Sequence, residues 1–172
     1  MPTADAPEVW LRGPVTGIPP LLMPVAHALS QAREDVDRLA DRVPAAQVWH
    51  RPGHAASIGF HVRHAGGALD RLFTYARGEA LTDAQARALR EEGSPGDPPA
   101  SLSDLAAELG ARIDRALDQL RATPVEALLA PRGVGRRALP STTFGLLFHA
   151  AEHASRHVGQ AITTAKIVGN PG

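Results

Sequence analysis

A chain of 172 residues can bury one sizeable core without staples, and it reads as a single domain over 1–172 with an extended N-terminal arm at 1–18. Lys plus Arg equals Asp plus Glu at 18 each, so the basic excess that draws a protein to nucleic acid or to an anionic membrane surface is missing, and no nucleic-acid partner is expected. Cysteine is absent, which excludes disulfides, thiolate ligands and a cysteine nucleophile and leaves nitrogen and oxygen to build any metal site.

The opening stretch MPTADAPEVWLRGPVTGIPP has acids before its first basic residue and is broken by prolines, unlike the charged start and apolar run of a signal peptide. No apolar run reaches the roughly 18 residues that span a bilayer. The expectation is a soluble, cytoplasmic protein with no membrane association.

Leu22, Val25, Leu29, Ala32, Val36, Leu39 and Val43 recur at alternating steps of three and four, the seam of an amphipathic first helix. Pro24 then belongs in the first turn, or the helix bends there, and the helix stops before Pro44. After the loop WHRPGHAAS, Ser57 is placed to cap a second helix with Ile58, Val62, Ala65, Leu69, Leu72 and Phe73 facing inward and Gly78 ending it. Residues 82–92 suit a short helix. The stretch GSPGDPPA at 93–100 does not, with its three prolines and two glycines.

Ser101 with Asp104 makes a capping-box-like start for a third long helix carrying Leu102, Leu105, Leu109, Ile113, Ala116 and Leu120 and ending near Thr123. PVEALL reads as a helical turn or two and APRGVGRRALPS as a basic loop. A fourth long helix starts at Ser141 or Thr142 and runs to about Val168, where Gly169, Asn170 and Pro171 terminate it. Four long helices without a strand pattern predict an all-α four-helix bundle. The connection between the second and third long helices exceeds roughly 20 residues, enough to return along the bundle, so those two helices can run parallel.

The fourth long helix holds His149, His153 and His157 at intervals of four in FHAAEHASRHVGQ. At about 100° per residue, four residues advance about 40° around the axis and about 6 Å along it, so neighbouring imidazoles stack on one face. Two such rings can share a metal ion, and a third ligand from another helix leaves a position open, as in catalytic zinc sites. The whole ladder covers about 80° and 12 Å, too much for one ion, so one end is spare. His153 and His157, flanked by Ala154, Val158 and Gly159, are the assigned pair, and His149 lies a turn nearer the helix start.

On the second helix His64 lies near the core stripe and His61 along its edge. Gly66 and Gly67 follow. Each helical glycine costs up to about 1 kcal/mol relative to alanine, so either a group approaches the backbone there or the pair eases helix packing. Gly159 raises the same question on the fourth helix.

His149-Ala-Ala-Glu152-His153 matches the inverted zinc-peptidase pattern in letters only, because only 19 residues follow His153 and a further acidic ligand is required well downstream. Glu152 is better read as an i,i+4 partner of Arg156. Ser57, Ser141 and Ser155 show no triad. Arg132, Arg136 and Arg137 offer charge for an anionic substrate, although a solvated loop is the simpler reading.

The stretches SIGFHVRHAGGALDRLFTYARGE and FHAAEHASRHVGQ resemble the DinB-like, or YfiT-like, metalloenzyme superfamily of four-helix bundles with a histidine triad on the second and fourth helices. The resemblance is close over those two helices and rests on pattern alone in the others. Its most specific part is H-x-x-x-H-x-G-Q, here His153, His157, Gly159 and Gln160. It implies His64 as the ligand on the second helix, with His61 in reserve there and His149 in reserve on the fourth, and an up-down-down-up bundle. It also implies a divalent ion, zinc or nickel, a homodimer, and a small-molecule substrate. Relatives include thiol-dependent S-transferases that use a low-molecular-weight thiol.

Two functions of different class follow as expectations. One is a metal-dependent transferase or hydrolase whose open coordination position carries water or a substrate thiolate. The other is a non-catalytic, metal- or small-ligand-binding dimeric bundle.

Overall fold

The computed structural model describes residues 6–169; the first five residues of the N-terminal arm and the terminators Asn170 and Pro171 lie outside the described residues. The described residues contain five α-helices: α1 (Met23–Ala40), α2 (Ile58–Ala76), α3 (Asp83–Glu91), α4 (Leu102–Ala122) and α5 (Thr143–Gly169). The four long ones form the expected all-α bundle.

Each starts and stops for a local reason. Pro24 sits in the first turn of α1, where no intrahelical N–H is required, so it does not bend the helix. The Ser57 hydroxyl accepts the Phe60 N–H at 3.1 Å and caps α2. Past its end Gly78 takes φ +81°, a left-handed conformation that glycine adopts without a steric cost. Ser101 and Asp104 form a reciprocal capping box at α4, and Thr82 with Gln85 does the same at α3. The α5 helix begins one residue later than the later of its two expected starts, with the Thr142 hydroxyl accepting the Gly145 N–H at 3.0 Å.

The predicted seam residues are the core. Leu22, Leu29, Val36, Ile58, Val62, Leu69, Leu105, Leu109, Ile113 and Leu120 are buried, joined by Leu146, Leu147, Ala150, Ala154, Val158 and Ala161 of α5. Two predicted positions, Leu72 of α2 and Val43 beyond α1, are only partly buried and pack against this core from the outside. Burying an aliphatic side chain of this size stabilises by about 1.5–3 kcal/mol, so the seam, more than helix propensity, holds the bundle.

Polar contacts give the helix directions. Gly66 of α2 faces Leu109 and Arg112 of α4, while the amide of Gln119, further along α4, donates to the Phe73 carbonyl, further along α2; the two helices therefore run parallel. Arg33 of α1 donates to Gly110 O, and Arg121 near the end of α4 donates to Thr16 O ahead of α1, so α1 and α4 are antiparallel. His61 meets His157 and His64 meets His153, so α2 and α5 are antiparallel as well. The result is up-down-down-up, with α2 packed between α4 and α5. The 77–101 connection, which contains α3, makes the parallel return possible.

One expectation is corrected. The segment read as a basic loop is a β-hairpin, with β1 (Pro131–Val134) antiparallel to β2 (Leu139–Thr142) and Pro131 opposite Thr142. Gly135 at φ +67° and Ala138 at φ +47° turn the chain. Strands of four residues containing two prolines and a glycine have no alternating pattern to read. Arg132 is used structurally, its Nε donating to the Ala76 carbonyl at the C-terminal end of α2 at 2.8 Å.

At the other end of the chain, the described part of the N-terminal arm lies along α1. Val9 N donates to Gln31 Oε1 at 2.9 Å, and Arg12 pairs with Glu34. Val9–Leu11 form one turn of 3-10 helix there.

Candidate metal centre

Because α2 and α5 are antiparallel neighbours, the histidine at one level of α2 meets a histidine at the same level of α5. His64, His153 and His157 each offer a ring nitrogen, and these three atoms lie within 4.8 Å of one another. His64 Nε2 is 2.9 Å from His153 Nε2. Ring centroids are 4.4 Å apart for His64 and His157 and 4.5 Å for His153 and His157.

The two histidines held in reserve take different positions. His61 is buried, and its Nδ1 lies 3.1 Å from His157 Nδ1. His149 is about half exposed and lies 3.4 Å from Glu152. Glu152 is also bridged to Arg156, which is the surface role read from the i,i+4 spacing.

The shell behind His64 contains residues that spacing did not single out. Its Nδ1 contacts Glu92 Oε2 at 2.6 Å, and the other oxygen of Glu92 accepts from Arg71 Nη1 at 2.6 Å. Glu92 is 4 % exposed and Arg71 9 %. Phe60 stacks on the His64 ring with centroids 5.3 Å apart and planes at 14°. The available signal was the Gly66-Gly67 pair. A Cβ on Gly67 would overlap the Glu92 carboxylate, and one on Gly66 would lie 2.7 Å from Arg112 Nη1. Close approach, not simple helix packing, therefore explains the pair. A Cβ on Gly159 would meet nothing within 4 Å, so that glycine leaves open space.

Burial disfavours the protonated form of three of these histidines. Burial, then the nearby charge of His64, pushes His153 below the ordinary histidine range. The same causes, joined by His153 and His61, bring His157 to about 4. His61 is lowered by burial and then by His64. Burial alone would raise Glu92, but hydrogen bonds from His64 and Arg71 outweigh it and hold the carboxylate below its usual value.

Neutral imidazoles with converging lone pairs are the state that coordinates a cation. Two nitrogens on one tetrahedral zinc, each at about 2.0–2.1 Å, stand roughly 3.3 Å apart. The 2.9 Å spacing of His64 and His153 is close to that value. With an ionised Glu92 at Nδ1, the His64 proton belongs on that nitrogen and Nε2 is left as a donor to a metal. His153 Nδ1 is buried without a hydrogen-bond partner among the described residues. On these grounds the residues fit a divalent ion held by nitrogen.

Two arginines of the hairpin are engaged away from this centre. Arg132 is bound at Ala76, and Arg136 lines a separate cavity with Tyr75, Leu89 and Arg90. Twelve residues of α2, about 18 Å of helix, separate Ala76 from His64.

Among known proteins, the model of the DinB superfamily matches residues 28–161, a span that includes all the histidines of the cluster. Among solved structures the chain is similar to a crystal structure described as the conserved protein of locus from Enterococcus faecalis. That likeness has 17% sequence identity and a TM-score of 0.66, and it covers 86% of this chain and 96% of the other. At this identity it bears on the fold alone. No curated protein matches the sequence. No described helix is long and apolar enough to cross a membrane.

Proposed function

The chain belongs to the DinB superfamily, and from that premise we propose that it is a metal-dependent enzyme whose His64, His153 and His157 hold a divalent ion, zinc or nickel. The observation that carries the reading is the convergence of three half-buried ring nitrogens from two helices within 4.8 Å. Bound there, such an ion supplies Lewis acidity and lowers the pKa of a water or thiol in its open position, the chemistry common to hydrolases and to thiol-dependent S-transferases. This chain contains no cysteine, so in the transferase case the thiol belongs to a low-molecular-weight cosubstrate.

The protein's own groups have defined parts in this proposal. In it Glu92 backs His64 and His61 backs His157, each through Nδ1, which leaves the other ring nitrogen of each ligand for the ion. Phe60 covers one face of His64. The homodimer implied by the family resemblance belongs to the same proposal, and a monomer by light scattering at micromolar concentration overturns that part.

Protein prepared without a histidine tag is expected to carry close to one equivalent of metal and to melt at a higher temperature when zinc or nickel is added. Metal below about a tenth of an equivalent, with no change in melting, overturns the centre. Turnover of thiol conjugates or simple esters by the loaded protein separates an enzyme from a binding bundle.

A further inference from the structure

Glu92 follows directly on α3, a helix that buries none of its own residues. Yet Glu92 itself is buried, with one oxygen at His64 Nδ1 and the other at Arg71. Gly67 provides the space for that carboxylate. The rest of the α3 region is tied down by polar contacts: Gln85 Nε2 donates to Asp70 and to the Thr74 hydroxyl, and Arg63 donates to Ser94 O.

We propose that Glu92 is the positioning residue of the centre: it holds the His64 proton on Nδ1, directs Nε2 at His153, and thereby couples seating of α3 to occupancy of the centre. The tautomer half stands on geometry alone; the coupling half rests on the metal reading given above. An imidazole whose Nδ1–H donates to a carboxylate has only Nε2 free for a cation, and such outer carboxylates orient and strengthen histidine ligands. A ring coordinated through Nε2 is in turn a stronger Nδ1–H donor, so the Glu92 contact tightens when the centre is filled. Coupling of this kind is reciprocal. An element with no buried side chains of its own belongs to the least stable part of a fold, where one strengthened buried contact changes how often it opens.

The test uses the full chain and Glu92→Gln, which keeps the shape and removes the charge. Long-range proton–nitrogen NMR on metal-free wild type above pH 7 should show His64 protonated at Nδ1; an Nε2–H tautomer overturns the positioning role. Zinc titration against a chelator should show about 10- to 100-fold weaker binding in Glu92→Gln at unchanged stoichiometry. Affinity within about threefold of wild type overturns the role as well.

Hydrogen exchange of amides 83–91 should slow when zinc is added to wild type and change little in Glu92→Gln. Equal slowing in both, or none in wild type, overturns the coupling. Should Glu92→Gln fail to fold because Arg71 keeps an unpaired charge, the double variant Glu92→Gln with Arg71→Met removes both charges and carries the same expectations. A wild type that takes up no zinc overturns the metal reading and the coupling together, while the His64 tautomer still decides the positioning role.

Discussion

His61 and His157 meet across the α2–α5 interface through their Nδ1 atoms, 3.1 Å apart, while one ring nitrogen of His157 lies within 4.8 Å of nitrogens of His64 and His153. One ring of the pair donates and the other accepts. On the proposed assignment His61 backs His157 and does not join the ligands. His61→Phe, which fills the same buried space without the nitrogen, is expected to keep one metal per chain and weaken binding about 10-fold or more. His64→Ala and His153→Ala should abolish binding. Metal stoichiometry on the three variants checks the assignment, and loss of metal in His61→Phe as complete as in His64→Ala would place His61 in the coordination sphere.

The spare end of the ladder makes a control. His149 is half exposed, pairs with Glu152 and meets only the edge of the cluster at the His153 ring, so His149→Ala should retain metal and change stability by no more than about 0.5 kcal/mol. If His149→Ala and His153→Ala behave alike in metal-dependent melting, the pairing of His153 with His157 is wrong.

The glycines give a contrast readable by denaturant titration. Gly67→Ala places a methyl against the Glu92 carboxylate and 2.9 Å from Arg71 Nη1. Forcing that buried ion pair apart should cost about 1–3 kcal/mol and weaken metal binding. Gly159→Ala meets nothing and, within α5, should stabilise by up to about 1 kcal/mol. A destabilised Gly159→Ala would reveal a close neighbour on that face.

The pH dependence has a fixed sign. In the unfolded chain these histidines take up protons near pH 6.5, whereas burial first, and then neighbouring histidines, hold His61, His153 and His157 lower when folded, His157 to about 4. Between those limits the unfolded state binds more protons, so the stability of the metal-free protein falls as pH falls from about 6.5 towards 4. Melting temperatures measured without metal from pH 7.5 to 4.5 check it, and His157→Phe should flatten the slope. A stability that rises on acidification in this window would contradict the lowered positions of His61, His153 and His157.

Periodicity carried the bundle a long way. The seam from Leu22 to Leu39 and the one from Leu102 to Leu120 are buried as their spacing requires, because a 3.6-residue repeat puts those positions on one face whatever the neighbour is. Cap chemistry at Ser57, Ser101 and Gly78 is equally local and was legible. The hairpin was not: its four-residue strands are held by pairing with each other and by Arg132 at Ala76, contacts with no local pattern.

For the centre, the four-residue interval placed His153 and His157 on one face, and the resemblance supplied His64. Only the antiparallel pairing of α2 with α5 decides that His64 meets His153 while His61 meets His157, since that choice depends on the level at which two helices are aligned. The 28-residue separation of Glu92 from His64 had no signature beyond an unusual Gly67. Facts set by one helix, its face, its caps and its spacing, are written in the chain. The buried carboxylate behind His64 and the alignment of the histidine pairs exist only once α2, α3 and α5 are packed, because they depend on distances between segments that sequence order does not contain.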